Sequence, residues 1–262
     1  MLKGLTIHNQ RHWRSWILGF ALCLCAAQAA AGHVLKVATG EWPPYLSAEL
    51  PGYGCVAVMV KDAFESEGYQ VEYHFLPWSR GYAKTKQGHY DVNMYWFRSK
   101  QRERDFLLSK NNISLERLGF YYLKSLGLQG DSYAEFQGKT LVLNPGFTYP
   151  DELWKQVALN GIEVIEARTE VQNFELMAKG RAHATVLSEK VAQIYIDAMD
   201  LEGQAKVLSS ETLQGFLKGH VLFSRGMNKD AETVRVAFDR GFEKLMSDAE
   251  YRYNYQKNCS QF

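Results

Sequence analysis

The chain has 262 residues, with 30 Lys and Arg against 29 Asp and Glu and a hydrophobic share of 46%. At about 100–200 residues per domain this is one large domain or two modest ones, and the ordinary charge balance excludes a chain disordered throughout. A formal charge of +1 excludes nucleic-acid binding by bulk electrostatics, and 4 Cys exclude a disulfide-dense miniature scaffold.

Residues 1–31 read as a secretory signal peptide. Lys3, Arg11 and Arg14 precede an apolar run from Trp16 to Ala27, and Ala27-Gln-Ala29 or Ala29-Ala-Ala31 supplies the cleavage site. The run is too short to cross a hydrocarbon core of about 30 Å comfortably. Neither Cys23 nor Cys25 follows a small residue, as lipid attachment would require. Cleavage after Ala31 takes the formal charge from +1 to −2, because three basic residues leave and no acidic one does. The expectation is a protein exported to the periplasm. Cys55 and Cys259 are the cysteines that remain. In an oxidising compartment such a pair reads as a disulfide, with two separate buried thiols as the alternative.

Val34-Leu-Lys-Val-Ala38 is the first expected strand, followed by the loop Glu41-Trp-Pro-Pro-Tyr45. Val56, Met59, Val60, Ala63 and Phe64 make the apolar stripe of an amphipathic helix that Gly68 stops. Val71–Leu76 alternates as a strand, Pro77 opens a second helix that ends near Gly88, and Val92–Tyr95 is a third strand. The aromatic strand Leu118–Leu123 follows. The same β-α-β-α-β order then recurs: strand Thr140–Leu143, helix Tyr149–Leu159, strand Ile162–Ile165, helix Val171–Lys179, strand Ala184–Leu187. His220–Ser224 reads as a strand, and a long helix carries Val234, Phe238, Phe242 and Leu245 on one stripe. Two such blocks predict two open, largely parallel sheets with helices on both faces. Strands joining them suggest a hinge, with ligand at the carboxyl ends of the strands.

These blocks carry Trp42-Pro-Pro-Tyr45, Pro77-Trp-Ser-Arg80, Gly88-His-Tyr-Asp91, Ser99-Lys-Gln-Arg102, Leu108-Ser109, Gln137-Gly-Lys-Thr140, Asn144-Pro-Gly-Phe-Thr148 and Lys179-Gly-Arg-Ala-His-Ala184. In that order and spacing the mature chain resembles the bacterial extracellular solute-binding proteins of family 3, the polar-amino-acid type. The resemblance implies an α/β, two-lobed type II periplasmic-binding fold with two open mixed sheets and a two-strand hinge. It divides the chain into residues 32–118 as the first part of lobe 1, 119–222 as lobe 2 with the hinge strands, and 223–262 as the return to lobe 1. It also implies a small-molecule ligand, an ABC permease in the inner membrane as partner, a monomer, and no cofactor or nucleic acid.

Arg102 stands where the family clamps a ligand carboxylate, and a planar guanidinium can give two parallel hydrogen bonds where Lys cannot. Without the resemblance it is one charge in the mixed run from Lys100 to Asp105. Thr148 reads as an N-cap with Asp151 at capping-box spacing, presenting a helix end to an anion beside Phe147. Trp42, Tyr45, Trp78, Tyr95, Trp96 and Phe97 crowd the loops facing the cleft and predict a flat, apolar pocket. Arg80 is either a second cation there or a surface residue. Ser188 stands where amino-acid binders place the acid that pairs with the ligand ammonium. Glu189, next in sequence, takes that role only if the strand end shifts. His183 stands where the family commonly has a structural Asp.

Enzyme readings are weaker. His33, His74, His89, His183 and His220 have no metal-ligand spacing, and no phosphate loop, dinucleotide turn or nucleophile elbow occurs. Relatives on this fold include dehydratases, so a Glu41–Glu189 acid-base pair is the remaining enzymatic alternative. The expectation is a non-enzymatic binder of a carboxylate-bearing ligand for import, with ligand sensing for a membrane receptor as the second reading.

Overall fold

The computed structural model describes residues 33–129, 132–199, 205–208 and 216–260. The expected signal peptide lies outside them. No helix among the described residues is long and apolar enough to cross a membrane.

β1 (His33–Thr39) buries Leu35 and Val37 and shows Val34 to solvent. It lies between β2 (Tyr69–Phe75) and β3 (Val92–Phe97), parallel to both. The crossovers are α1 (Cys55–Glu65) and α2 (Trp78–Lys86), the second starting immediately after Pro77. All apolar stripe positions of α1 are fully buried, and α7 (Ala231–Ser247) lies across them with Phe238 against Phe64 at 5.0 Å. The helices approach so closely at Gly241 that a Cβ there would sit 2.1 Å from the Ala63 carbonyl oxygen. Only glycine fits.

The second block repeats the plan. β6 (Thr140–Leu143) is parallel to β7 (Glu163–Glu166) and β8 (Ala184–Ser188), with α4 (Asp151–Leu159) and α5 (Glu170–Ala178) as crossovers. The repetition extends to single bonds. Asp91 exchanges two bonds with Lys36 at the start of the first block: its N–H donates to the Lys36 carbonyl, and its carboxylate accepts the Lys36 N–H at 2.9 Å. His183 does the same with Thr140, its Nδ1 accepting the Thr140 N–H at 2.9 Å. By accepting the backbone N–H at Nδ1, the His183 imidazole performs here what a carboxylate performs in the first block.

β5 (Ser114–Leu123) and β10 (Phe216–Ser224) join the halves. Ser114–Arg117 pairs with Phe216–Gly219, Leu118–Tyr122 pairs with β8, and Gly219–Phe223 pairs with β3. The two sheets expected from the pattern are therefore continuous, in the order β2-β1-β3-β10-β5-β8-β6-β7. β4 (Phe106–Leu108) pairs with β10, and β9 (Ala205–Leu208) with β5. Three helices absent from the periodicity reading are present: the short α3 (Lys100–Asp105), α6 (Glu189–Ala198) and α8 (Ala249–Ser260).

α8 returns the chain to α1. Tyr251 donates to Asp62 at 2.7 Å, and Cys259 is bonded to Cys55 across 204 residues of sequence. A closed loop of that length restricts the unfolded chain strongly. Cys55→Ser in the oxidised protein is expected to lower the unfolding free energy by about 2–5 kcal/mol, measured by denaturant titration. A Cys55→Ser curve that overlays the wild type would contradict this.

Candidate functional site

The loop after β1 folds back on itself, Trp42 N–H donating to the Leu46 carbonyl at 2.8 Å and Leu46 N–H to the Trp42 carbonyl at 3.0 Å. This presents the Trp42 ring edge-on to Phe147, 5.2 Å away across the cleft, and to Trp78 at 6.4 Å. Trp78, the first residue of α2, meets Trp96 edge-on at 5.4 Å. A Cβ on Gly40 would fall 2.4 Å from the Trp78 ring, so the bare backbone there is what admits the indole. Tyr95, near the end of β3, has a φ of 69°. That left-handed conformation is strained for a non-glycine residue and is held by its surroundings. Its ring stacks on Tyr45 at 5.6 Å.

Arg102 sits in α3, where the Ser99 side chain caps the helix by accepting the Arg102 N–H. Its side chain is buried, and the guanidinium lies 4.6 Å from the Trp96 ring centre. Nη1 donates to the Phe97 carbonyl at 2.5 Å and to Thr148 Oγ1, while Nη2 donates to the Gly146 carbonyl at 3.1 Å. Two of these acceptors belong to the loop after β6, so one side chain ties the two halves together. Burial pulls the Arg102 pKa down to about 10, which leaves it charged at neutral pH. Among the described residues no carboxylate pairs with it. A desolvated cation whose partners are all neutral is an electrostatic deficit that an anion would remove.

Thr148 is not the helix cap expected from its spacing. α4 begins at Asp151 with Pro150 in the capping position, and the Thr148 hydroxyl is instead taken by Arg102. Trp42, Trp78, Tyr95, Trp96, Phe97, Phe147, Arg102 and Thr148 line one cavity, joined by Gly146. The free space left between them is about 30 Å³, room for one or two water-sized groups. The two halves meet across this small cavity.

The other expected residues lie elsewhere. Tyr45 stands behind Tyr95, and Arg80 is exposed on α2. Glu189 is ion-paired with Arg117 at 3.3 Å, outside the cavity. Ser188, nearly fully buried, turns towards a residue that the sequence reading missed, Glu116. Glu116 lies on β5 and is 2% exposed, whereas its neighbour Leu115 is 52% exposed. The strand shows its leucine to solvent and buries its acid, the reverse of what hydrophobic alternation predicts. The Trp42 indole N–H donates to Glu116 Oε1 at 3.1 Å. Burial pushes the Glu116 carboxyl above the ordinary glutamate range, against the opposing pull of Ser188, Tyr95 and Trp42. The Tyr95 hydroxyl faces this carboxyl but falls short of hydrogen-bond geometry.

No protein-family model matches the chain, and no curated protein matches it in sequence. Solved structures do match. The substrate-binding protein of an amino acid ABC transporter shares 15% identity at a TM-score of 0.72, covering 87% of this chain and 100% of its own. A histidine kinase sensor domain with similarity to periplasmic binding proteins shares 17% at 0.72, covering 87% and 97%. An ancestral amino acid-binding protein, a precursor of cyclohexadienyl dehydratase, shares 16% at 0.70, covering 92% and 99%. The chain has their two-lobed fold. The cavity therefore lies between two lobes of a periplasmic-binding-protein fold.

Removing the Arg102 side chain leaves three oxygens without their charged donor. Hydrogen bonds to charged groups contribute about 1.5–3 kcal/mol each in favourable cases. Arg102→Ala is expected to lower unfolding free energy by at least the lower figure. Arg102→Lys should recover only part of the loss, since an ammonium cannot present the same fork. Denaturant unfolding of both variants checks this, and an unchanged Arg102→Ala midpoint would contradict it.

Proposed function

We propose that this protein is a non-enzymatic, periplasmic solute-binding protein that closes its lobes on a small carboxylate-bearing ligand and hands it to an ABC-type permease. The observation that carries the reading is the buried Arg102 guanidinium, set in an aromatic-walled cleft between two lobes with only neutral oxygens as partners. A carboxylate accepts two parallel charge-assisted bonds from such a fork and is a stronger acceptor than a carbonyl or hydroxyl. As the lobes part, the ligand displaces Thr148 Oγ1 and Gly146 O from the guanidinium and takes their place. Trp42, Trp78, Tyr95, Trp96, Phe97 and Phe147 then cover its apolar part.

Ser188 turns away from the cavity towards Glu116, and Glu189 is held by Arg117, so neither position presents a carboxylate to a ligand ammonium there. Both favour an organic acid or an aromatic acid over a standard polar α-amino acid. We place the first lobe at residues 32–118 and 223–262, the second at 119–222, and the signal peptide at 1–31. We take the working form to be a monomer. Likeness to the sensor domain of a histidine kinase favours ligand sensing as a second reading. Likeness to the precursor of a dehydratase keeps the fold open to catalysis, but Glu189 is committed to Arg117 and so is poorly placed to work with Glu41.

A thermal-shift screen of amino acids, organic acids and small peptides tests this directly. A carboxylate-bearing compound is expected to raise the melting temperature. Arg102→Ala is expected to weaken that compound's binding by roughly 30-fold or more in calorimetry, the equivalent of about 2–5 kcal/mol for loss of one partner in a desolvated charge pair. Equal affinity in wild type and Arg102→Ala would reject the assignment. Stabilisation by one polar amino acid, lost in Glu189→Gln, would reject the ligand class.

A further inference from the structure

Glu116 sits where three parts of the molecule meet. It belongs to β5, which crosses between the lobes, and pairs there with Leu217 of β10. From the first lobe it receives the Trp42 indole N–H at 3.1 Å and faces the Tyr95 hydroxyl. From the second lobe it faces Ser188, the residue preceding α6. The titratable groups that bear on it are the Tyr45 and Tyr95 phenols. The Arg117–Glu189 ion pair is formed by the residues that follow Glu116 and Ser188 in sequence, and it is partly exposed. None of the partners of Glu116 among the described residues is a cation. The Tyr95 and Ser114 hydroxyls are both buried without hydrogen-bond partners.

We propose that Glu116 is a positioning residue of the cleft: it holds Trp42 in the cavity wall from behind, and it couples closure of the second lobe to uptake of one proton. Closure excludes solvent from the carboxyl, which disfavours the charged form, and the approach of Ser188 offsets this only in part. A neutral carboxyl still accepts from the Trp42 indole, so the wall stays in place when the proton is bound. Opening readmits water to Glu116 and releases the proton. The sign follows: a carboxyl raised by burial stabilises the closed form at low pH, and that stabilisation is lost as pH rises through its raised value. The inference rests on the lobe-closing reading above but not on the identity of the ligand.

The ligand-free protein is therefore the one to test, by small-angle scattering and tryptophan emission between pH 5 and pH 8.5. The wild type is expected to be compact at the acid end and to expand as pH rises, with a midpoint above the ordinary glutamate value of about 4.3. Trp42 emission should shift over the same range. Glu116→Gln keeps an acceptor for the indole without a titrating group, and is expected to stay compact at both ends. A flat wild-type profile overturns the proposal, and so does a Glu116→Gln profile that follows the wild type. Should that variant fail to fold, the carboxyl ¹³C titration of Glu116 in the wild type decides, an ordinary glutamate midpoint overturning it. A protein that binds nothing in the ligand screen yet expands with pH keeps this proposal and loses the solute-binding one. A good binder with a flat profile does the reverse.

Discussion

A charge taken out of water has to find compensation, and the centre of this molecule is arranged around one that is only partly compensated. The Arg102 guanidinium is buried on an indole face and donates to three neutral oxygens, two of them from the opposite lobe. Those bonds hold the lobes shut and at the same time leave the cation without an anion. The same contact therefore spans the cleft and leaves a buried cation facing it. The aromatic residues around it serve both purposes, excluding water from the guanidinium and leaving little free space beside it.

The cleft depends on the two strands that run through both halves of the sheet. β5 and β10 pair with each other over Ser114–Arg117 and then diverge, one to β8 and the other to β3. A strand shared in this way has side chains exposed to both lobes, which explains how an acid on it, Glu116, comes to touch an indole of one lobe and to face a hydroxyl of the other. On the far side of the first lobe, the Cys55–Cys259 bond fastens the C-terminal helix to α1.

Internal repetition accounts for the chemistry of His183. Asp91 and His183 occupy equivalent places, each closing a two-bond ring with the first residues of its block. A carboxylate oxygen and an unprotonated imidazole nitrogen are both acceptors, so the backbone N–H is satisfied either way. The histidine is structural here, and its role is visible only beside its counterpart.

Much of the fold was legible from residue order. Val56, Met59, Val60, Ala63 and Phe64 describe a helix face in any context, and the repeated β-α-β-α-β order restricts the topology because parallel strands need crossovers of one hand. Most of the aromatic wall was also legible, since it clusters near the carboxyl ends of strands, whereas Arg102 stood out from its mixed charged run only through the resemblance to the solute-binding family. Three things were not. Thr148 has the spacing of a helix cap, yet its hydroxyl is drawn to a guanidinium 46 residues away, and local spacing cannot register that competition. α6 and α8 owe their places to packing partners distant in sequence, with α8 fastened to α1 by Cys259 and Tyr251. Glu116 was hidden by its own strand, where Leu115 faces out and the acid faces in. Periodicity assigns the apolar residue to the core because burial is usually what pays the conformational cost of folding. At the crossover between lobes the buried side of the strand is a polar junction, and only the tertiary arrangement of Trp42, Tyr95 and Ser188 decides that a carboxyl belongs there.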